Sequence, residues 1–165
     1  MAAGAEIDRT QEWAALRERY LAASSVRPGS SARGLHHFAL LSSDVVRTIE
    51  FYQGILEFPL VELFENRDYR GSTHFFFDIG NGNLLAFFDF PGLELDGYRE
   101  VLGGLHHVAI SVTPEVWGRL AARLADAGVE TRNLSVNSLY FFGPDGERLE
   151  LLKDPLREMY GTKLD

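Results

Sequence analysis

The chain contains no cysteine in 165 residues. Disulfides and thiolate ligands are therefore excluded, and any metal must be held by imidazole, carboxylate or carbonyl groups, which favours a hard or borderline ion. Long apolar runs are also missing: the longest, Leu84–Phe88, has the length of a strand and falls far below the roughly 20 residues of a membrane-spanning helix. Basic charge is scarce. With 16 Lys and Arg against 24 Asp and Glu, the net charge is −8 and no lysine or arginine stripe exists, so neither nucleic acid nor an anionic membrane surface is an expected partner. The opening Met1-Ala2-Ala3-Gly4-Ala5-Glu6 has neither the basic start nor the apolar centre of a secretory signal, and a cytoplasmic protein is expected. What is present is a 45% hydrophobic chain, large enough to bury a sizeable core.

One stretch occurs twice. Gly34-Leu35-His36-His37-Phe38-Ala39-Leu40 and Gly104-Leu105-His106-His107-Val108-Ala109-Ile110 lie 70 residues apart (107 − 37), which predicts one supersecondary unit built twice. Side chains alternate across a strand, so only one histidine of each pair can face inward. His36, Phe38 and Leu40 share a face with bulky apolar neighbours, as do His106, Val108 and Ile110, and these faces suit packing under helices. His37, Ala39 and Leu41, with His107, Ala109 and Ser111, make the opposite faces. Small residues there leave a hollow, which His37 and His107 would share if the two units sit side by side.

In chain order, residues 1–33 are expected to be a loose leader, an amphipathic helix capped by Thr10 that carries Trp13, Leu16 and Tyr20, and a Pro/Gly/Ser linker. Residues 34–90 read as a βαβββ module: strand His36 to Ser42, helix Val45 to Leu56 capped around Ser43-Asp44, then strands Leu60 to Phe64, Thr73 to Asp78 and Leu84 to Phe90. Residues 91–104 form a connector. Residues 105–153 repeat the order, with strand His106 to Val112, Thr113 and Pro114 opening helix Glu115 to Ala127, Gly128 closing it, and strands Val129 to Arg132, Ser138 to Phe142 and Glu147 to Lys153. The tail, 154–165, is expected to be exposed and partly helical. The fold class is α+β, with two tandem βαβββ modules forming a cup-shaped mixed sheet.

The repeat also locates candidate site residues. Aligning Gly82 with Gly146 places Ala86 opposite Glu150, the one charged residue between Leu149 and Leu152. A carboxylate buried there needs a partner, and a cation is one. His37, His107 and Glu150 thus make a two-histidine, one-carboxylate set with open positions for water and substrate. The same register pairs Tyr140 with Phe76 and Ser138 with His74. Tyr140 is a candidate hydrogen-bond donor to a substrate oxygen, against a role as wall; His74 is a candidate acid or base, against a role as a partly exposed strand residue. Phe75, Phe77, Phe87 and Phe88 read as core and pocket wall, and His36 and His106 as structural.

From Leu35 to Lys153 the chain resembles the vicinal oxygen chelate superfamily of glyoxalase I, extradiol dioxygenases, fosfomycin-resistance thiol transferases and bleomycin-binding proteins. The matching features are His37-Phe38-Ala39-Leu40 with Phe51-Tyr52 and Leu56 downstream, His107-Val108-Ala109, and the most specific stretch, Tyr140-Phe141-Phe142-Gly143-Pro144-Asp145-Gly146-Glu147-Arg148-Leu149-Glu150. The resemblance implies paired modules forming a cup around a divalent ion, and substrates that chelate it through adjacent oxygens. Ala86 and Leu41 stand where glyoxalase I-like enzymes place a carboxylate and an arginine, and Ala39 where fosfomycin enzymes place a threonine. Extradiol dioxygenases share the His/His/Glu set and a tyrosine at Tyr140, but their acid-base histidines would fall near Asn83 and Ser135. The expected function is that of a divalent-metal enzyme, dioxygenase-like in its ligands, with Fe(II) or Mn(II) ahead of Zn or Ni, a small-molecule substrate and a homodimeric state. The alternatives are a metal-free drug-binding protein of the bleomycin-resistance kind, or a metal-dependent lyase or thiol transferase.

Overall fold

The computed structural model describes residues 8–164. Residues up to Gly34 form one compact unit and Leu35–Leu164 another. In the first, helix α1 spans Thr10–Tyr20 and buries none of its side chains. Thr10 is its first helical residue rather than its cap: Asp8 Oδ1 accepts from the Thr10 amide at 2.9 Å. The leader residues 1–7 lie outside the described residues.

The second unit holds the repeat. β1 (His37–Leu41), α2 (Val45–Ile49), β2 (Leu60–Glu65), β3 (Thr73–Asp78) and β4 (Leu84–Phe88) form the first module; β5 (Val108–Ser111), α3 (Pro114–Asp126), β6 (Thr131–Asn133), β7 (Ser138–Phe142) and β8 (Arg148–Leu152) form the second. The sheets are ordered β1-β4-β3-β2 and β5-β8-β7-β6, each with one parallel pair, β1 with β4 and β5 with β8. β1 and β5 start one and two residues later than the alternation suggests, so His107 sits just ahead of β5.

Alternation sends Phe38, Leu40, Leu85, Phe87, Phe75 and Phe77 to one face of the first sheet, and Val108, Ile110, Leu149, Leu151, Leu139 and Phe141 to the corresponding face of the second. Both faces feed one core, into which α3 sends Leu120 and Leu124. Thr113 caps α3 by accepting from the Val116 amide, Pro114 occupies its first turn, and Gly128, at φ 73°, takes the left-handed conformation that ends it.

The first-module helix departs from the expected single α-helix. After Ile49 the chain widens into a π-helical turn over Glu50–Ile55, closed by the Leu56 amide on the Phe51 carbonyl at 3.1 Å. Two consecutive large rings in this turn, Phe51 and Tyr52, both enter the core, at 8% and 0% exposure. The carbonyls the turn frees at Gly54 and Ile55 accept from the Arg123 guanidinium of α3. A second correction concerns the tail: it forms a short hairpin, β9 (Glu158–Met159) with β10 (Thr162–Lys163), because Tyr160 and Gly161 take positive φ and turn the chain.

The modules are further joined by polar contacts, buried at Tyr52–Glu147 and exposed at Ser43 and Arg47. Tyr52 donates its hydroxyl to Glu147 Oε1 at 2.7 Å, Glu147 Oε2 accepts from the Asp145 amide at 2.9 Å, and Asp145 accepts from Ser43 and Arg47. Gly143 makes this possible, since a Cβ there would overlap the Glu147 carboxylate. Gly143→Ala should lower stability by about 1–3 kcal/mol, the cost of breaking a buried hydrogen bond. Urea denaturation should show most of that loss gone when the change is made in a Glu147→Ala background.

Burial pushes the Glu147 carboxyl above its ordinary value, with the Tyr52 hydroxyl and backbone amides pulling partly the other way. A raised native value means that the group favours the fold while protonated, below its ordinary value, and that this contribution is lost as pH rises through the native value. Wild type should therefore lose stability relative to Glu147→Gln as pH is raised from about 4 toward about 7, read from urea midpoints across that range.

Candidate metal centre

On β8, Leu149 and Leu151 sink into the core, which forces Arg148, Glu150 and Leu152 onto the opposite face. The register sets Glu150 beside Ala109 and Tyr140. Glu150 is 6% exposed, and an ionised carboxylate so placed requires compensation. Ser138 donates to Oε1, and His107 Nε2 lies 3.1 Å from Oε2. The His107 ring meets Tyr140 edge-on at 5.4 Å. Burial, then the neighbouring Glu150, pushes the Tyr140 hydroxyl up, so it is a proton donor at neutral pH.

Neighbouring contacts fix the neutral tautomer of His107. Its Nδ1 lies 2.6 Å from Nδ1 of His106, and only one of those two atoms can carry the proton. Since His107 Nε2 faces a carboxylate oxygen, Nε2 carries the ring proton, Nδ1 accepts from His106, and His106 Nε2 is left to accept from Arg148 Nη1 at 3.4 Å. Arg148 also donates to Glu100 Oε1 at 2.9 Å and lies over the Tyr140 ring at 4.8 Å. His106 itself is exposed and packs under no helix; it props His107 instead.

The same face of the first sheet carries His37, Ala39 and Leu41 on β1, Ala86 and Phe88 on β4, His74 and Phe76 on β3, and Phe64 on β2. The rings form a panel. His74 stacks on Phe88 at 3.8 Å and lies 4.2 Å from Phe76; Phe64 meets both His74 and Phe76, and His37 meets Phe76 at 6.0 Å. His74 Nε2 is buried without a hydrogen-bond partner among the described residues. Burial, then the nearby His37, pushes its ring below the ordinary histidine value, so it is neutral at pH 7.

Of the residues singled out by sequence, the chain brings together His107, Glu150 and Tyr140 on one sheet, and His37 and His74 on the other. Among the described residues, no three histidine, aspartate or glutamate side chains converge as a metal site. The shared hollow expected of side-by-side modules is thus not built within one chain: the modules meet through their core faces, and the histidine-bearing faces belong to separate sheets. The donor chemistry nonetheless suits a divalent ion, because adjacent ligands about 2.1 Å from a cation lie about 3 Å apart, which is the His107–Glu150 spacing. A cavity of about 690 Å³ between β1 and the connector, lined by Ala39, Leu41, Phe90, Leu95 and Tyr98, contains none of the three proposed ligands. Sequence reasoning missed Arg148, although its position two before Glu150 puts it on the same strand face.

The model of the Glyoxalase/Bleomycin resistance protein/Dioxygenase superfamily matches residues 34–151. The chain belongs to that superfamily. The uncharacterized protein YwkD of Bacillus subtilis (strain 168) is 27% identical over 125 residues, covering 72% of this chain and 95% of YwkD. A glyoxalase family protein from Enterococcus faecalis is 28% identical with a TM-score of 0.59, over 73% of this chain and 97% of that one. A glyoxylase/bleomycin resistance protein/dioxygenase domain from Frankia sp. EAN1pec gives 24% and 0.65, over 76% and 100%. The fosfomycin resistance protein FosX from Listeria monocytogenes, complexed with Mn(II) and sulfate, gives 24% and 0.59, over 77% and 97%; at that identity the likeness is one of fold. As the superfamily relationship leads one to expect, two four-stranded mixed sheets of matching order carry the chain.

A buried, unpartnered nitrogen in an aromatic panel works against stability. His74→Phe should raise stability by about 1 kcal/mol. The depressed native value means that the neutral ring's contribution is lost as pH falls through it, so the gain should grow below pH of about 6. Thermal melts at two pH values check both.

Proposed function

We propose that the protein is a divalent-metal enzyme of the vicinal oxygen chelate type. In this reading it works as a homodimer, in which His37 of one subunit completes the ligand set begun by His107 and Glu150 of the other. The observation that carries this is the buried Glu150 carboxylate beside His107 Nε2 at 3.1 Å, with the matching histidine of the repeat left on a separate face. Two imidazoles and a carboxylate suit Fe(II) or Mn(II), with Zn and Ni behind them, and leave positions for two adjacent substrate oxygens. The ion supplies Lewis acidity to those oxygens and, as iron, redox chemistry of the dioxygenase kind. Tyr140, protonated at neutral pH, donates to a substrate oxygen; His74 offers an unpartnered nitrogen as an acid-base group. The acidic, cysteine-free composition supports work in the cytoplasm.

The same groups would serve a lyase or thiol transferase. A metal-free small-molecule binder is the second reading, and the partly exposed aromatic panel is the observation that favours it.

A mixed-subunit experiment tests the proposal. His37→Ala and Glu150→Gln proteins should each lose tight Mn(II) binding. A heterodimer of the two should recover one site per dimer, because the His37 that survives in one chain then faces the His107 and Glu150 that survive in the other. No recovery, with both variants folded and dimeric, overturns the two-subunit site. Wild type that is monomeric and takes up no Mn(II), Fe(II), Zn or Ni leaves the binder.

A further inference from the structure

The cavity of about 690 Å³ between β1 and the connector has a volume in the range of small-molecule sites, roughly 300–1,000 Å³. Its walls are held by the fold. The Leu93 amide closes a turn on the Phe90 carbonyl at 3.1 Å, with Gly92 at φ 87°, and the Tyr98 hydroxyl lies 2.8 Å from the carbonyl oxygens of Leu105 and of His106. The connector is thereby pinned on both sides of the opening, and Leu41, Phe90, Leu93, Leu95 and Leu105 give the cavity apolar walls. Leu41, Leu93 and Leu95 are each left about half exposed, although contact with another apolar body is what such side chains favour.

Four carboxylates line this cavity, and no lysine, arginine or histidine does. Three of the four are already answered. Asp145 is paired with Arg47 at 2.8 Å, Asp96 with Arg99 at 2.6 Å, and Glu147 takes the Tyr52 hydroxyl and the Asp145 amide. Asp89 is the fourth. It follows β4 directly and is half-buried, because its amide donates to the Thr73 carbonyl at 3.2 Å and its Oδ1 accepts from the Thr73 amide. Among the described residues Asp89 has no ion pair, and nothing donates to its Oδ2. A part-buried carboxylate without a counter-ion has lost hydration that a cation can replace, and the net charge of −8 draws cations toward such a point.

We propose that this cavity binds an organic cation, its ammonium group on Asp89 Oδ2 and its apolar body against Leu41, Leu93, Leu95 and Leu105. An anion would be repelled by the carboxylates, and a neutral molecule would leave Asp89 without a counter-ion. The site is independent of the metal centre proposed above, since none of His37, His107 and Glu150 lines it.

Calorimetric titration of the wild-type protein with four probes tests this: phenethylammonium; 2-phenylethanol, which lacks the charge; 3-phenylpropanoate, which reverses it; and ethylammonium, which lacks the ring. The first should bind about tenfold more tightly than any of the others, with or without Mn(II). Asp89→Asn, whose side-chain oxygen can still accept from the Thr73 amide, should bring phenethylammonium down to the affinity of 2-phenylethanol and leave 2-phenylethanol as it was. Leu95→Ala should weaken both of these ring probes and leave ethylammonium unchanged. His37→Ala and Glu150→Gln should bind phenethylammonium as wild type does. Equal binding of phenethylammonium and 2-phenylethanol to wild type, an undiminished preference in Asp89→Asn, or loss of the preference in His37→Ala overturns the proposal. None of these comparisons depends on Mn(II) uptake, so the metal reading stands or falls separately.

Discussion

A carboxylate that the strand pattern drives out of water organises this molecule. Leu149 and Leu151 must enter the core, so Glu150 between them must stand on the other face of β8, where the sheet and Tyr140 leave it 6% exposed. An uncompensated charge in that position would cost several kcal/mol. Ser138 and His107 relieve it: Ser138 lies on β7, which runs beside β8 in a fixed register, and His107 just ahead of β5, which does the same. In the first module the equivalent residue is Ala86, fully buried, and its neighbours become rings. One copy of the repeat keeps the charge with its partners; the other gives up both.

Much of this was legible because strand alternation has a period of two and the repeat doubles every inference drawn from it. The correspondence of Ala86 with Glu150 and of Phe76 with Tyr140, and the order of elements along each module, follow from residue positions alone. The π turn did not, since Val45, Ile49, Tyr52 and Leu56 also fit an ordinary helix, and adjacent Phe51 and Tyr52 can share the buried side of one. The tail hairpin escaped because two-residue strands carry no period. His106 was assigned a packing role from alternation, but it precedes β5, where alternation has not begun. Above all, the arrangement of one module against the other depends on contacts between residues far apart in the chain, such as Tyr52 with Glu147, and no local pattern encodes those.

That arrangement determines what a single chain lacks. Both core faces are consumed by each other and by the helices, and the link is reinforced where Arg123 takes the carbonyls that the π turn exposes. The faces bearing His37 and His107 are thereby left outside the shared core, each with a fragment of a site. The first has a histidine and an aromatic panel, with one imidazole nitrogen buried and unsatisfied; the second has a histidine and a carboxylate spaced as neighbouring ligands. Neither fragment is explained by the packing of its own sheet. Apolar surface such as Phe64, 44% exposed, and an orphaned nitrogen are features that folding alone disfavours and that a ligand or a second subunit would relieve.

The proton on His107 gives the second fragment a further property. While Glu150 is its partner, His107 holds its proton on Nε2 and accepts at Nδ1 from His106. For Nε2 to serve as a ligand atom, that proton must leave, and the ring must carry one on Nδ1 instead, where His106 Nδ1 can accept it only after releasing its own. His106 Nε2 is the alternative seat once it gives up its contact with Arg148 Nη1, and Glu100 Oε1 lies 3.9 Å from it. The two adjacent imidazoles thus permit the tautomer exchange that ligation requires, with Glu100 at its far end. Glu100 is also the counter-ion of Arg148, so the group that would stabilise the ligating tautomer is shared with the arginine.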